Sequence, residues 1–574
     1  MTEQKNGPDT GFYERFYRKW WFALLLNLAV MAVLLLVCRP KFETNDDMGI
    51  AFFINRARPI QDTYLLFENR ILGIVMAKLY SITNMLPWYG LLQIAGLLTG
   101  FTAMTYVFLN HFEGWSGLLL SGGLLSLFAY EGYILMQFTK TGGLITACGI
   151  LLVFYAMTGP RMRWLSAIIG TAITGWGFLY REEQPLLVTA LMCVYGLFLL
   201  MNLAGMSDKR QVRRLLVRYF GCLAAVALTG GGIWFFHDYT FHKNQESMDY
   251  RLYNNAHSVL SDYGFPSYEK HREEMEALGL DEATYNYYKS WNYYDPELVT
   301  TELFEKLAQM KAKDRGSFGA DTIRRFLKRY PSDFFENRSF YMWLAALAVL
   351  LLFGFRRWQT PAAAVIQIVL LLSLFLYLFY QGRYGYNRVD CPVWFSCTLV
   401  LLMMTDPEKL RLPWRFAVLM IAGCLIFNQH FWSVNWRSSA AEKEAKRKET
   451  EQLTIQLSQD QDHLYLLRMG GLEFADAFGP LDLVPVGVYS NTAPLGGWGA
   501  GSPSYKAVLN RFGVVNPFRD VINHPEVYLI DNQIEQTMEY IHSHYDPHAI
   551  ATRAGEIGKY PYYTVTSEYW RFVR

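Results

Sequence analysis

The chain has 574 residues, of which 52% are hydrophobic, 16% aromatic and only 18% charged, with a formal net charge of +2. Soluble domains carry nearer a quarter charged residues, and a single apolar core stops growing beyond about 250 to 300 residues, so a disordered chain, a coiled coil and a lone soluble domain are excluded. A mean hydropathy of +0.08 is low for a chain that lies in lipid throughout, which leaves membrane-crossing helices mixed with sizeable water-facing parts, and the near-neutral charge gives no reason to expect a nucleic-acid partner.

Apolar runs occupy 17–38, 88–109, 115–136, 143–158, 164–180, 184–204, 216–236, 338–355, 362–380, 391–404 and 414–432. A crossing needs about 20 apolar residues and shorter runs survive by snorkelling or local thinning, so the pattern predicts about eleven transmembrane helices. The first run follows Arg15, Arg18 and Lys19 but has no small-residue cleavage site, and it reads as a retained helix. Segment 60–86 reads as amphipathic helices on the membrane surface, with Leu65, Leu66, Phe67, Ile71, Leu72 and Val75 toward lipid.

Lys and Arg gather in alternate loops: Arg161 and Arg163; Lys209, Arg210, Arg213 and Arg214; Arg356 and Arg357; Lys409, Arg411 and Arg415. The positive-inside rule makes these loops and the N-terminus cytoplasmic. Loops 39–87, 137–142, 181–183, 237–337 and 381–390, and the tail from 433, then face outward. Four parts follow: an N-terminal transmembrane module 1–236 carrying the first outer loop 39–87, a large extracytoplasmic loop 237–337, C-terminal transmembrane helices 338–432, and an extracytoplasmic soluble domain 433–574. The large loop should be mostly helical, broken at Gly264-Phe265-Pro266, Gly279 to Asp281, Asp295-Pro296 and Tyr330-Pro331. The tail opens with a charged helical stretch near 440–457 and continues through the runs HLYLL and EVYLID between Gly and Pro turns, the pattern of a small α/β domain. The seven cysteines lie in or beside apolar segments with no metal or disulfide spacing.

The outward loops collect the chemistry. The first opens Lys41-Phe42-Glu43-Thr44-Asn45-Asp46-Asp47 just past the first helix. Paired carboxylates there bind a cation, or one of them takes the proton of an attacking hydroxyl, unless they only cap a turn. Lys140 sits at one helix end, Arg181 and Glu182 at another, Arg383, Tyr384 and Arg388 at a third, and His237-Asp238-Tyr239 at a fourth. Arg forks match phosphate oxygens bidentately and Lys adds a point charge, although the same residues also anchor helix ends. His542, His544 and His548 fit no common zinc spacing. Two aromatic clusters, Tyr285 to Tyr294 with Trp291, and Gly496-Gly497-Trp498-Gly499, offer flat faces for sugar rings or simply core packing. No GxGxxG, P-loop, HExxH or GxSxG stands in a credible context, which removes nucleotide-driven pumps and the common membrane proteases.

This layout resembles that of the GT-C glycosyltransferases, which include the protein O-mannosyltransferases, the lipid A aminoarabinose transferases and the oligosaccharyltransferases. Shared features are one helix, an outer loop opening on acidic residues and carrying surface helices, six further helices, a large outer loop and an outer soluble tail. The likeness covers most of the chain as layout, and Asn45-Asp46-Asp47 is the part that matches a motif. It implies a polytopic α-helical fold and transfer of a sugar from a polyprenyl-phosphate donor to a cell-surface glycan, lipid or protein at the outer face of a bacterial cytoplasmic membrane. Asp46 or Asp47 would be the acid/base, with Asp46 favoured. Charge and side alone nominate Arg383, Arg388, Lys140 and Arg181 for the donor phosphate, and Glu182, His237, Asp238 and Tyr384 for substrate. The metal stays unknown: monophosphate-donor branches do not call for one, whereas the oligosaccharyltransferase branch uses a divalent cation such as Mg or Mn. Two alternatives remain. A polysaccharide polymerase or ligase would use outer-loop arginines too, and a lipid or sugar transporter would show repeats and midplane polar groups that this chain lacks.

Overall fold

The computed structural model describes residues 16–569 except 160, 205, 316–317, 355–357, 414–421, 424–425, 427, 430–432, 435, 438–439 and 473–476. The expected span 414–432 falls largely outside the described residues, as do Arg15, Arg356, Arg357, Arg415 and Cys424. Six helices are long and apolar enough to cross a membrane: Trp20–Val37, Trp88–His111, Phe138–Thr158, Glu183–Ala204, Lys209–His242 and Gln359–Gln381. A seventh appears if Ala320–Glu336 and Arg338–Phe353, bent by 88°, count as one broken span. The chain is thus a multi-pass membrane protein, but among the described residues the expected eleven crossings reduce to six or seven. Trp164–Tyr180 and Asn387–Met403 are 17 residues each, and Ser116–Tyr133 is diluted by Gly and Ser.

Helix Phe138–Thr158 is the axis of the bundle, with 94% of its apolar window buried inside the protein. Lipid is as apolar as leucine, so burial here is won by close packing. Small residues supply it. A Cβ on Gly142 would sit 2.9 Å from the carbonyl oxygen of Gly177, and one on Gly170 would sit 2.8 Å from that of Gly149, so Phe138–Thr158 and Trp164–Tyr180 meet backbone to backbone. Lys209–His242 runs 34 residues, about 51 Å at helical rise, and so projects well past a hydrocarbon core. The expected boundary at 236/237 falls inside this one helix.

Two short elements fix the first loop over the bundle. Strand β1, Lys41–Phe42, pairs in parallel with β2, Leu135–Met136, which ties the chain before Asp46 to the entrance of Phe138–Thr158. Helix Asp46–Ile54 follows, and then Arg70–Ile82, whose 13 residues are too few to span. Of the side chains expected to meet lipid from this segment, Val75 is exposed, whereas Leu65 and Leu72 are buried in the protein core. Their places on the outer face are taken by Ile74 and Ile82.

Beyond the bundle, the large loop and the tail share one core. Leu260, Tyr285, Tyr287, Tyr288, Tyr293 and Phe304 pack in the same cluster as Leu464, Leu466, Tyr505, Leu529 and Tyr540. The runs HLYLL and EVYLID form β3, Leu464–Leu467, and β5, Val527–Ile530. With β4 (Thr492–Pro494), β6 (Ile550–Ile557) and β7 (Tyr560–Thr566) they make a five-stranded sheet of order β4-β3-β5-β7-β6. β3 pairs in parallel on both sides and is buried at every position, as a central parallel strand must be. The loop is helical as expected, at Gln245–Tyr263, Arg272–Glu276, Glu282–Lys289, Thr301–Arg315 and Ala320–Glu336. The break expected at Tyr330-Pro331 does not occur, since Pro331 lies inside Ala320–Glu336 and the chain turns instead at Asn337.

Loop and tail meet at Gly496, where a Cβ would lie 1.8 Å from the carbonyl oxygen of Trp291. Gly496→Ala is expected to force these backbones apart and to lower stability by about 1–3 kcal/mol. Gly122→Ala, with open space around its Cβ, should unfold like the wild type in detergent; equal thermal midpoints for both variants would contradict this packing.

Candidate active site at helix Asp46–Ile54

Asp46 and Asp47 are neighbours at the start of helix Asp46–Ile54, where successive side chains point about 100° apart. Their environments differ accordingly. Asp47 is fully buried and its Oδ1 accepts from Tyr89 Oη (3.0 Å), Gln93 Nε2 (3.0 Å) and the backbone N of Phe138 (3.0 Å). Tyr89 Oη also lies 2.9 Å from Oε1 of the buried Glu68. A phenol has one proton to give, so one of the two carboxyls carries the proton of the second contact, and Tyr89 links Glu68 to Asp47. Burial raises the Asp47 carboxyl to about 8 and lifts Glu68 well above its ordinary range, with the neighbouring Asp47 adding to the effect on Glu68. Two buried acids therefore brace the loop beneath Asp46.

Asp46 points the other way. It lines a cavity of about 480 Å³, and its Oδ2 lies 3.0 Å from Arg388 Nη1. Arg388 also stacks over Tyr386 at 5.4 Å. Burial, and then the charges of Arg181 and Arg388, push the Arg383 guanidinium below its ordinary range, so these expected phosphate ligands stand near enough to act on one another at the ends of three helices. Each has a resting partner: Asp262 for Arg383, Glu183 (3.1 Å) and Thr139 (3.3 Å) for Arg181. Lys140, expected beside them, is buried between Glu43 (2.6 Å) and Glu131 (2.8 Å), with Arg338 and Asn387 also on Glu131. A buried ammonium gripped by two carboxylates braces the structure and is not free for a ligand.

The remaining substrate candidates lie elsewhere. Glu182 accepts from Asn69 at 3.3 Å and its carboxyl is raised by burial. His237 accepts the backbone N–H of Arg70 through Nδ1 at 3.1 Å, and Asp238 pairs with Arg251 at 3.1 Å. All three hold the start of helix Arg70–Ile82 or its neighbours. Tyr384 lines a second cavity of about 510 Å³ with Glu131, Asp333, Arg338 and Asp390. Among the described residues no group of three His, Cys, Asp or Glu is placed to hold a metal ion. In the tail, His542 bonds the carbonyl of Ala549, His544 bonds Thr284 and His548 stacks on Tyr569.

The aromatic clusters divide. Tyr285, Tyr287, Tyr288, Tyr293 and Tyr294 are core residues, whereas Trp291 and Trp498 line the cavity with Asp46. Trp291 sits there in a left-handed backbone conformation, φ 70°, which costs a bulky residue about 1–3 kcal/mol. Trp498 stacks on Phe53 at 5.5 Å, and a Cβ on Gly49 would lie 2.4 Å from its ring, so the glycine lets helix Asp46–Ile54 press against the indole. Sequence reasoning missed Arg58 and Arg468 in the same wall, as well as Glu68, Tyr89 and Glu131. No local motif marks them.

No family model matches the chain, and no curated protein matches it. Among solved structures the chain is similar to ArnT from Cupriavidus metallidurans, in the apo state (11% identity, TM-score 0.42) and bound to undecaprenyl phosphate (12% identity, TM-score 0.40). Each match covers 97% of this chain and 98% of the other.

Asp47 offers a test of the buried acid chain. Its carboxyl stays protonated in the folded state up to about pH 8 but ionises near 4 when unfolded, so the folded state binds the extra proton and loses stability as pH rises from about 4 to 8. Asn keeps the Oδ1 acceptor and cannot ionise. The thermal midpoint of Asp47→Asn should therefore fall less between pH 5 and pH 8 than that of the wild type, and parallel curves would contradict the assignment.

Proposed function

We propose that the chain is a GT-C-type membrane glycosyltransferase that moves a sugar from a polyprenyl-phosphate-linked donor to a cell-surface glycan, lipid or protein. The observation that carries this reading is that Asp46, of the acidic pair following the first helix, faces a ligand-sized cavity and is paired with an arginine of a three-arginine cluster. The charge pattern of the loops supports an N-terminus in the cytoplasm of a bacterial cell and a tail outside. On that topology the cluster stands at the outer membrane surface, the depth of a lipid phosphate.

The donor phosphate competes with Asp46 for Arg388, and with Asp262 and Glu183 for Arg383 and Arg181. Its arrival leaves the Asp46 carboxylate facing the cavity unpaired. The acceptor hydroxyl attacks the anomeric carbon of the sugar and the new C–O bond forms. The bond from that carbon to the phosphate oxygen breaks, and polyprenyl phosphate leaves with its electron pair. The hydroxyl proton goes to Asp46, which acts as general base, while the arginines stabilise the charge growing on the leaving group. Asp46 has Arg388 as its partner, and every step above uses only the side chains of this chain. Asp47 and Lys140 serve as braces on this reading.

Sugar transfer from a panel of radiolabelled polyprenyl-phosphate sugars should fall about 10²–10⁴-fold in Asp46→Asn. Arg388→Gln should chiefly raise KM for the donor, with Arg388→Lys intermediate. A wild-type rate in folded Asp46→Asn would reject Asp46 as the base.

A further inference from the structure

Arg58 follows helix Asp46–Ile54 and lines the same cavity as Asp46. Its Nη1 donates to Ser504 Oγ at 3.2 Å and its guanidinium lies 5.3 Å from the Phe53 ring. Its Nε has no hydrogen-bond partner, and among the described residues no carboxylate forms an ion pair with it. Burial pushes the guanidinium below its ordinary range. Arg468, across the same wall, also has an Nε without a hydrogen bond, but Asp531 stands 3.5 Å from it as an ion-pair partner and Gln536 accepts from its Nη2. Asp46 is balanced by Arg388. Among the described residues of the cavity wall, Arg58 is thus the cation with no carboxylate at ion-pair distance, the buried Asp62 acting on its charge only from further away.

A desolvated guanidinium with unsatisfied donors is costly unless an anion completes it, and its planar fork fits a carboxylate or phosphate. Beside it stand Trp291, 39% exposed and held in a left-handed backbone, and Trp498, fixed on Phe53. Indole faces of this kind cover the apolar faces of sugar rings. The volume, about 480 Å³, falls in the range of small-ligand sites.

We propose that this cavity binds an anionic saccharide, a sugar bearing a carboxylate or phosphate, with Arg58 as its counter-charge and Trp291 and Trp498 as ring platforms. That the saccharide is the acceptor rests on the transferase reading; that it binds does not. The charge selects the substrate class, because a neutral glycan leaves Arg58 unpaired as before. Asp46 lines the same cavity and faces whatever hydroxyl the bound sugar presents.

The test is binding to the full chain in detergent with no donor present, which separates it from any failure of turnover. The probes are a galacturonate tetrasaccharide, its carboxyl-reduced neutral counterpart, and an oligosaccharide ending in mannose 6-phosphate. At least one anionic probe should bind tenfold or more tighter than the neutral one, and which of them does so identifies the carboxylate or the phosphate as the group recognised. Arg58→Gln should abolish the preference and Arg58→Lys should retain part of it. Arginine-selective modification of the wild type, read by mass spectrometry, keeps the test open if the variant does not fold: the anionic probe should protect Arg58 and the neutral probe should not. Equal binding of charged and neutral probes, or a preference that survives Arg58→Gln, would overturn the proposal, and so would unprotected Arg58.

Discussion

The ion pair between Asp46 and Arg388 joins the two halves of the site, and the surrounding structure is arranged to hold it. Asp46 comes from the loop after the first helix and Arg388 from the start of helix Asn387–Met403, 342 residues apart in sequence. The loop can reach that position only because β1 pairs with β2 and because Asp47 plugs into Tyr89, Gln93 and the N-terminus of Phe138–Thr158. Adjacent acids thus divide the work by helical geometry: one is sunk, its carboxyl pushed up by burial, and the other is half-buried and paired. Lys140, locked between Glu43 and Glu131, ties the same loop to the bundle from the other side. Hydrogen bonds at this depth are strong, although Asp47 Oδ2 and Glu68 Oε2 are buried without a partner.

The cavity above the pair is built by a different part of the chain. Its floor is the largely buried helix Asp46–Ile54 and its walls come from the large loop and the tail, which pack as one body through a core of tyrosines. Glycines at 49 and 496 allow the indole of Trp498 and the backbone of Trp291 to approach where any side chain would collide. Cavity and arginine cluster then meet at Asp46 from opposite sides. On the transferase reading this geometry brings a soluble glycan and a lipid-borne phosphate to the same carboxylate.

Much of this was legible in the sequence where the signal is local. Apolar runs marked the helices, the charged stretch 440–457 marked a helix that runs Ala441–Gln459, and HLYLL and EVYLID marked two strands. Arg181, Arg383 and Arg388 converge because they sit at the ends of helices opening on one face. What depends on distant pairing was not legible. Lys140 looked like a free cation because Glu43 and Glu131 are remote in sequence or hidden in an apolar run. Glu68 and Arg58 carry no motif, and their chemistry arises only from burial. Pro331 looked like a break because proline usually is one, yet the turn falls six residues later at Asn337, whose side chain caps Ser339. Of the eleven runs, six or seven form described helices long and apolar enough to cross; the others are shorter, richer in glycine and serine, or largely outside the described residues.

The most direct measurement of the central claim is the affinity of the purified protein for polyprenyl phosphate, wild type against Asp46→Asn, without any sugar. If Asp46 and the donor phosphate compete for Arg388, removing the carboxylate charge should tighten binding by about two- to fivefold, the worth of a partly exposed ion pair. Unchanged or weaker binding in a folded Asp46→Asn protein would mean that the phosphate does not engage Arg388, and the arrangement of donor and base described above would be wrong.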